Sequence, residues 1–472
     1  MQSTGTRLSR RKIGKLFLYG PLVGIAGSAS ALERAPELDG TWHPDEATRA
    51  QYSSDYGNII HETPAAIAKP GSIRDLSRIV QFARDQRLRV AARGQGHLPF
   101  GQAQIPSGIL VDMCTLDGLD SVRHDEITAD AGCTWAAVVD AALEHGMTPP
   151  VLTDYLGLTV GGTLSIGGIS PATWRYGAQV DNVTELEVVT GKGDRVVCSE
   201  HRNRELLEAV LAGQGQCAML ARATVRLVRA PEKVRSYLLA YADVPALLRD
   251  LERMGEDGRF SGVLGYVVPS PQGWQYFMEG LKYFVSSSTP DDPQLTGDLG
   301  HIRGTEQITE ADYATYVHRV QGPFGAAPRP VLTQLIPIST APAYIASALP
   351  RLAAGGTPAD SPFIQLYAWK RSRFTRPMFR VPDETGILGL AVLQGASSPA
   401  ILKQKIATNE QLYRENRALG GTLYPFSALP LSRHDWQMHY GRHWDTLTDA
   451  KDRYDPENVF ASGPDLFSRP RG

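Results

Sequence analysis

The chain has 472 residues, and its 48 Lys or Arg against 50 Asp or Glu give a formal net charge of only −2. Because there is no basic excess, the composition indicates neither a nucleic-acid partner nor binding to an anionic membrane surface. Beyond the N-terminus no stretch reaches the roughly 18 apolar residues that a membrane-spanning helix needs. A chain of this length is expected to form two substantial globular domains.

The N-terminus is predicted to be a targeting segment. Residues 9–15, SRRKIGK, look like a twin-arginine signal, an apolar run follows over residues 16–26, and residues 29–31, ASA, fit a small-residue cleavage site. The alternative interpretation is a disordered basic tail. We therefore expect a signal peptide over residues 1–31 and export of the folded protein to the periplasm or the medium.

The four cysteines, Cys114, Cys133, Cys198 and Cys217, form no CxxC pair and have no histidine-rich neighbours. Neither pattern of a zinc site is therefore present, and no metal is predicted. In an exported protein these cysteines could form disulfides, and the sequence leaves their pairing open.

Residues 58–231 alternate strand and helix signals, as an α/β domain does. Ser72 and Asp75 form a capping-box pattern ahead of apolar residues at helical spacing. Residues 183–190 and 195–198 flank a Gly-Lys-Gly turn and are predicted to pair as a hairpin.

After residue 231 the pattern changes to that of an antiparallel sheet with flanking helices. Alternating residues predict strands over 261–268 and 362–368. Helices are predicted over 242–254 and 399–418. The last stretch, residues 434–467, is rich in aromatic residues.

Residues 213–218, GQGQCA, match the dinucleotide-binding pattern GxGxx(G/A). That pattern has meaning only after a strand and at the start of a helix. Here it follows a helical stretch and precedes a strand-like one. The sequence therefore argues against a Rossmann site.

Two glycine-rich segments and one carboxylate are stronger candidates for a functional site. Residues 92–97, ARGQGH, place His97 directly after a loop whose backbone could approach a phosphate closely. Residues 158–169, LTVGGTLSIGGI, are typical of main chain wrapped around a phosphate-bearing ligand. Asp154 lies just before them. Each has an ordinary alternative: a structural histidine, an interdomain turn and a turn-capping aspartate.

The order and spacing of these segments resemble the cytokinin dehydrogenases, a family of the vanillyl-alcohol-oxidase superfamily with a PCMH-type FAD-binding domain. The resemblance spans about residues 52–467 and is densest over 90–113 and 152–231. It implies an α+β fold in which a two-subdomain FAD-binding domain is joined to an antiparallel-sheet substrate domain, or cap.

The resemblance also implies domain boundaries. The FAD-binding domain would cover residues 32–231, the substrate domain residues 232–429, and residues 430–472 would return to the FAD-binding domain.

Carried over position by position, the resemblance implies that His97 bonds FAD covalently through the flavin 8α carbon. Asp154 would be the catalytic acid/base and would contact the substrate. The other residues expected to line the FAD are Gly94, Gln95, Gly96, Leu98, Gln102, Thr159, Ser165, Ile169, Leu220 and Tyr424.

Two departures from the family pattern concern the site. Leu98 stands where the family usually has serine, and Leu264 stands where it has a glutamate that helps hold the substrate's purine. An apolar side chain cannot accept a hydrogen bond from the adenine edge. We therefore expect Leu264 to contact a substrate that is not a standard cytokinin.

The expected function is removal of hydride from a C–N bond of a secondary amine, which gives an imine, with oxygen or another electron acceptor as the re-oxidant. One alternative is an alcohol or sugar oxidase of the same superfamily. Bicovalent members have a second attachment cysteine near the position of Tyr155, and no cysteine lies between Cys133 and Cys198. Another alternative is a non-catalytic flavin-binding homologue.

Overall fold

A computed structural model describes residues 35–322, 325–353, 357–461, 463, 466 and 467. The predicted signal peptide over residues 1–31 lies outside these residues, so it stays a prediction. From Pro36 onward the chain belongs to one structural unit. In the described part it contains three main sheets, and each sheet has helices packed on it.

The first sheet has the strand order β1-β2-β4-β3, and strands β2, β4 and β3 run parallel. Its strands are β1 (Thr41–His43), β2 (Ala66–Lys69), β3 (Val90–Arg93) and β4 (Ile109–Asp112). Helix α1 (Glu46–Gln51) precedes β2, and helix α2 (Ile73–Asp85) makes the crossover from β2 to β3. Every residue of β4 is buried, as expected for a parallel strand covered on both faces.

The capping pattern predicted for α2 is confirmed in one of its two halves. The Ser72 hydroxyl accepts a hydrogen bond from the backbone N–H of Asp75. The Asp75 carboxylate does not bond back to Ser72, because it accepts from the N–H groups of Asp39, Gly40 and Gly71. Asp75 therefore ties the helix start to the segment before β1.

The second sheet is antiparallel, with the order β5-β9-β7-β8. Its strands are β5 (Glu126–Asp130), β7 (Val183–Thr190), β8 (Arg195–Ser199) and β9 (Ala218–Arg226). The predicted hairpin is the β7–β8 pair. Four helices lie between these strands: α3 (Trp135–Leu143), α4 (Val160–Leu164), α5 (Thr173–Tyr176) and α6 (Arg204–Val210). A short pair, β6 (Met147–Thr148) with β10 (Val228–Arg229), accompanies this sheet.

The third sheet has eight strands in the order β14-β11-β13-β12-β16-β17-β15-β18, and its paired neighbours are antiparallel. Its strands are β11 (Lys233–Tyr241), β12 (Gly262–Ser270), β13 (Gly273–Phe284), β14 (Gln307–Asp312), β15 (Leu332–Pro337), β16 (Phe363–Lys370), β17 (Gly386–Leu393) and β18 (Thr422–Leu423). This is the antiparallel sheet that the sequence predicted after residue 231.

The helices of this region are α7 (Val244–Asp257), α8 (Asp292–Thr296), α9 (Tyr313–Val317), α10 (Ala341–Leu352) and α11 (Pro399–Ala418). Helix α7 packs on β12, β13 and β16. Helix α11 has the predicted bounds, because Ser398 caps it and Pro399 occupies its first turn.

The C-terminal segment packs against the first two sheets. Helices α12 (Arg433–Tyr440) and α13 (Trp444–Tyr454) lead to Phe460, which forms a parallel bridge with Val90 of β3. The buried Lys451 ammonium donates to the Asp455 carboxylate and to the carbonyls of Gln216 and Phe460. This ion pair therefore fixes the return of the chain.

The described residues include no helix that is both long enough and apolar enough to span a bilayer. Within the same part of the chain, no group of three or more His, Cys, Asp or Glu could hold a metal ion. All four cysteines are free thiols.

Candidate active site

A cavity of about 460 Å³ lies between the eight-stranded sheet and the two smaller sheets. Both glycine-rich segments line it, and so do three strands of the eight-stranded sheet, β15, β16 and β17. Its wall is mostly apolar, with a few polar side chains among aromatic and aliphatic ones. This composition is common for cofactor and small-molecule sites.

Nearly all of the site residues that were predicted from the sequence line this cavity. Those on its wall are Gly94, Gln95, Gly96, His97, Leu98, Gln102, Asp154, Thr159, Ser165, Ile169, Leu220 and Tyr424. Leu264 is not among the lining residues. It is 1% exposed in the core on β12, where its backbone lies opposite Glu279 of β13. Its predicted contact with the substrate stays a prediction.

The loop after β3 needs glycine at two positions. Gly96 has a φ of +64°, and a Cβ there would collide with the Arg93 guanidinium. A Cβ on Gly94 would collide with the hydroxyl of Thr159, so the two glycine-rich segments touch through this residue. The backbone N–H groups of Gln95 and Gly96 donate to no acceptor among the described residues. Successive free N–H groups of this kind can bind an anion such as a phosphate.

His97 lies in an aromatic stack. Its imidazole centroid is 4.0 Å from that of Tyr56 and 5.4 Å from that of Tyr155, and it lies parallel to Phe426 with 7° between the planes. Burial, together with the positive charge of Arg329, lowers the pKa of His97 to about 4. The imidazole is therefore neutral at physiological pH and keeps a nitrogen lone pair.

Thr159 organises the second glycine-rich segment. Its side chain caps α4 by accepting from the N–H of Gly162, and Ser165 Oγ donates to the carbonyl of Gly161. A Cβ on Gly161 would press against Ala131 on the loop after β5. Glycine at this position therefore lets the segment lie directly against the second sheet.

The rejected GxGxx(G/A) segment also reaches the cavity. It follows α6 and precedes β9, so the prediction that it is not a Rossmann site is confirmed. Nevertheless Gln214, Gly215 and Ala218 line the wall. Gly215 has a φ of +67°, and a Cβ there would meet no atom within 4 Å. The sequence signal for these residues was the continuation of the family resemblance over 213–226.

Two buried polar atoms on the wall, Gln214 Oε1 and Thr333 Oγ1, have no hydrogen-bond partner in the described part of the chain. A buried polar atom without a partner costs about 1–3 kcal/mol, so each is placed to bond a polar ligand. Together with the free N–H groups at Gln95 and Gly96 and the open space at Gly215, they fit a dinucleotide with a pyrophosphate and a polar ring system. The residues present therefore fit FAD.

Asp154 is the carboxylate on the wall, and its side chain is 28% exposed. Its Oδ1 accepts from Arg319 Nη2 at 2.9 Å, and its Oδ2 accepts from Gln365 Nε2 at 3.4 Å. Neither partner was predicted from the sequence. The alternation of Phe363, Gln365 and Tyr367 along β16, all of which line the cavity, was the available signal for Gln365.

On the eight-stranded sheet, the wall includes residues that lie side by side on neighbouring strands. Gln365 pairs with Ala391, and Ala391 pairs with Thr333. Neighbouring strands are about 4.8 Å apart, so this row places Thr333 two strands from Gln365. The row therefore presents two separated polar groups, an amide and a hydroxyl, on an otherwise apolar wall.

Two family models match the chain. One, described as "FAD binding domain", matches residues 64–199, and the other, described as "Cytokinin dehydrogenase 1, FAD and cytokinin binding", matches residues 265–467. An uncharacterised oxidoreductase of the fasciation locus of Rhodococcoides fascians is 35% identical over 90% of this chain and 99% of its own length. Cytokinin dehydrogenase 10 of Oryza sativa subsp. japonica is 31% identical over 90% of this chain and 88% of its own length.

Solved structures show the same fold. Chitooligosaccharide oxidase superposes with a TM-score of 0.75 and 16% identity, over 94% of this chain and all of its own. The 6-hydroxy-D-nicotine oxidase of Arthrobacter nicotinovorans gives a TM-score of 0.71 and 20% identity, over 91% of this chain and 98% of its own. The α+β fold expected from the sequence is confirmed, and the chain belongs to the cytokinin dehydrogenase family of FAD-dependent oxidoreductases.

Proposed function

We propose that this chain carries FAD bonded covalently to His97 and oxidises the C–N bond of a secondary amine, with Asp154 as the proton acceptor. The observation that supports this most is that the neutral imidazole of His97 and the carboxylate of Asp154 line one largely apolar cavity. The cavity thus offers a nucleophile for cofactor attachment and a base for the substrate. These are the two groups that this chemistry needs from the protein.

FAD, when bound, supplies an acceptor for hydride. The role of the chain is to hold the amine so that its N–H points at Asp154 Oδ2, the oxygen with the longer protein contact. As the carbon gives up hydride, the nitrogen gives up its proton to this oxygen and a C=N bond forms. Water then hydrolyses the imine to an amine and a carbonyl product. A positioned base of this kind typically contributes about 10²–10⁴-fold.

His97 suits attachment to the flavin 8α carbon because it is neutral and held in place. A protonated imidazole has no lone pair with which to form that bond, and the low pKa of His97 avoids this form. The rings of Tyr56 and Tyr155 restrict the orientation of the imidazole.

The substrate is proposed to be an amine other than a standard cytokinin. Leu264 offers no acceptor to an adenine edge, and its side chain is buried in the core. The electron acceptor is proposed to be oxygen or another electron acceptor. The N-terminal sequence supports export through the twin-arginine pathway, so the substrate would be met outside the cytoplasm.

Anaerobic flavin bleaching tests this function. Purified yellow protein is mixed with a panel of secondary amines that includes N6-isopentenyladenine, and with alcohols and oligosaccharides. We expect at least one amine to reduce the flavin and the alcohols and sugars to leave it oxidised. Reduction by alcohols or sugars alone would indicate an alcohol or sugar oxidase, and no reduction by any compound would indicate a non-catalytic flavin-binding protein.

A further inference from the structure

The carboxylate proposed as the base is paired with a cation from the other domain. Arg319 Nη2 donates to Asp154 Oδ1 at 2.9 Å, across 165 residues of sequence. Arg319 lies two residues after the end of α9 in the predicted substrate domain, whereas Asp154 lies on a loop of the predicted FAD-binding domain. Both side chains are partly exposed, at 32% and 28%.

The guanidinium of Arg319 is held in place by its own loop. It lies over the ring of Tyr316 at 4.0 Å from the centroid, and its Nη1 donates to the carbonyl of Tyr316. The next residue, Val320, forms a parallel backbone bridge with Tyr155, which follows Asp154. Backbone pairing and side-chain stacking therefore both hold Arg319 beside Asp154. The ion pair consequently loses less side-chain entropy on forming than a pair of mobile surface side chains would.

A second carboxylate lies nearby. Glu279 of β13 accepts from Tyr266 Oη at 2.6 Å and from Ser236 Oγ at 2.8 Å, and its charge acts on Arg319. The charges of Asp154 and Glu279 therefore both act on Arg319.

The titratable and charged groups around Asp154 are Arg319, Glu279, Tyr266, Tyr283, Tyr316 and Tyr367. Burial raises the pKa of each of these four tyrosines far above its usual value, so they stay neutral over the working pH range. The charges that remain are the two carboxylates and one guanidinium.

We infer that Arg319 is a positioning residue that holds Asp154 through Oδ1 and so keeps its Oδ2 directed toward the substrate. The inference rests on the proposed function, in which Asp154 accepts the substrate proton. Without Arg319, Oδ1 loses its charged donor, and the carboxylate is free to rotate away from the substrate N–H.

Gln365 contacts the other carboxylate oxygen of Asp154, Oδ2. Its contact to Oδ2 is 3.4 Å, longer than the usual 2.9–3.0 Å for such a bond. An incoming N–H can therefore take Oδ2 without displacing the ion pair at Oδ1.

The test is single-turnover flavin reduction in the holoenzyme, with the panel amine that bleaches the native flavin fastest. The limiting rate and the half-saturating amine concentration are both recorded. The variants are Arg319→Gln, which removes the cation, and Arg319→Lys, which keeps it. His318→Gln is the matched control, because His318 precedes Arg319 on the same loop but contacts Asp140 of α3 instead of Asp154. Asp154→Asn is measured in parallel.

In Arg319→Gln the limiting rate of flavin reduction should fall at least about tenfold, because a misplaced base loses much of its contribution, while the half-saturating amine concentration changes little. Arg319→Lys should recover most of the native rate, and His318→Gln should keep it. A merely structural role would lower the melting temperature or flavin content of Arg319→Gln and leave the limiting rate of its flavin-loaded fraction unchanged.

The outcomes separate the two proposals. An impaired Asp154→Asn with a native limiting rate in Arg319→Gln overturns only the role of Arg319. An Asp154→Asn that reduces its flavin at the native rate overturns the proposed function and this inference together. The same holds if no amine of the panel bleaches the native flavin.

Discussion

The ring of Tyr56 packs against the imidazole of His97, with centroids 4.0 Å apart and 30° between the planes. Tyr56 in turn lies under the guanidinium of Arg329, 4.9 Å from its ring centroid. The imidazole is thus held in one orientation, and the positive charge beyond Tyr56 disfavours its protonation. This arrangement suits a residue that bonds the cofactor.

His97→Ala should release its yellow colour on acid precipitation, whereas the native protein should stay yellow and fluorescent in the pellet. FAD should still bind to the variant, because the two glycine-rich segments retain the phosphate-binding positions. Fluorescence of the flavin on a denaturing gel measures the difference. Free FAD in the supernatant of the native protein would show that no covalent bond exists.

His439 on α12 gives a prediction for stability against pH. Its ring is buried beside Trp436 and Tyr440, and burial lowers its pKa to about 3, helped by the charge of Arg380. As the pH falls below about 6.5, the unfolded chain binds this proton first. The stabilisation is therefore complete above about pH 6.5 and is lost as the pH falls toward 3.

Between about pH 6.5 and pH 3, one such histidine lowers the free energy of unfolding by about 1.4 kcal/mol for each unit by which the pH falls. His439→Phe keeps a ring but cannot titrate, so its denaturant midpoint should fall less steeply with acid than that of the native protein. His434→Phe, at an exposed position of the same helix, is the control. Equal slopes in all three proteins would contradict this account.

The sequence predicted those parts of the fold that depend on neighbouring residues. Helix α2 was predicted from a cap and an apolar pattern, and the β7–β8 hairpin from its glycine turn. The partners of Asp154 could not be found in this way. Arg319 and Gln365 lie 165 and 211 residues further along the chain, and only tertiary packing brings the loop of Arg319 and strand β16 to the carboxylate.

Leu264 gives a prediction for specificity. N6-isopentenyladenine should reduce the native flavin slowly, and Leu264→Glu should accelerate that reduction. A hydrogen bond to a charged group contributes about 1.5–3 kcal/mol, so the gain should be about tenfold or more. Because Leu264 is buried and lies opposite Glu279, Leu264→Gln serves as an uncharged second variant. Fast reduction of the native flavin by this cytokinin would show that the missing glutamate does not matter.

Export gives a separate prediction. Replacing both Arg10 and Arg11 by Lys should leave the folded, yellow protein in the cytoplasm, because the twin-arginine pathway depends on that pair. Cell fractionation followed by detection of flavin fluorescence measures this. Unchanged appearance of the double variant outside the cytoplasm would show that the N-terminus has another role.

The central claim is that Asp154 accepts the substrate proton, and Asp154→Asn tests it most directly. Asparagine keeps the shape and a hydrogen-bonding group but cannot take a proton. Asp140→Asn is the matched control, because Asp140 is an exposed carboxylate of α3 that pairs with His318, the residue before Arg319.

The measurement is the rate of anaerobic flavin reduction at saturating amine, with melting temperature and flavin content recorded for each protein. We expect the rate to fall at least about a hundredfold in Asp154→Asn and to stay native in Asp140→Asn. Flavin content should be unchanged in both. An Asp154→Asn protein that melts earlier but reduces its flavin at the native rate would contradict the account, because Asp154 would then be only a structural residue.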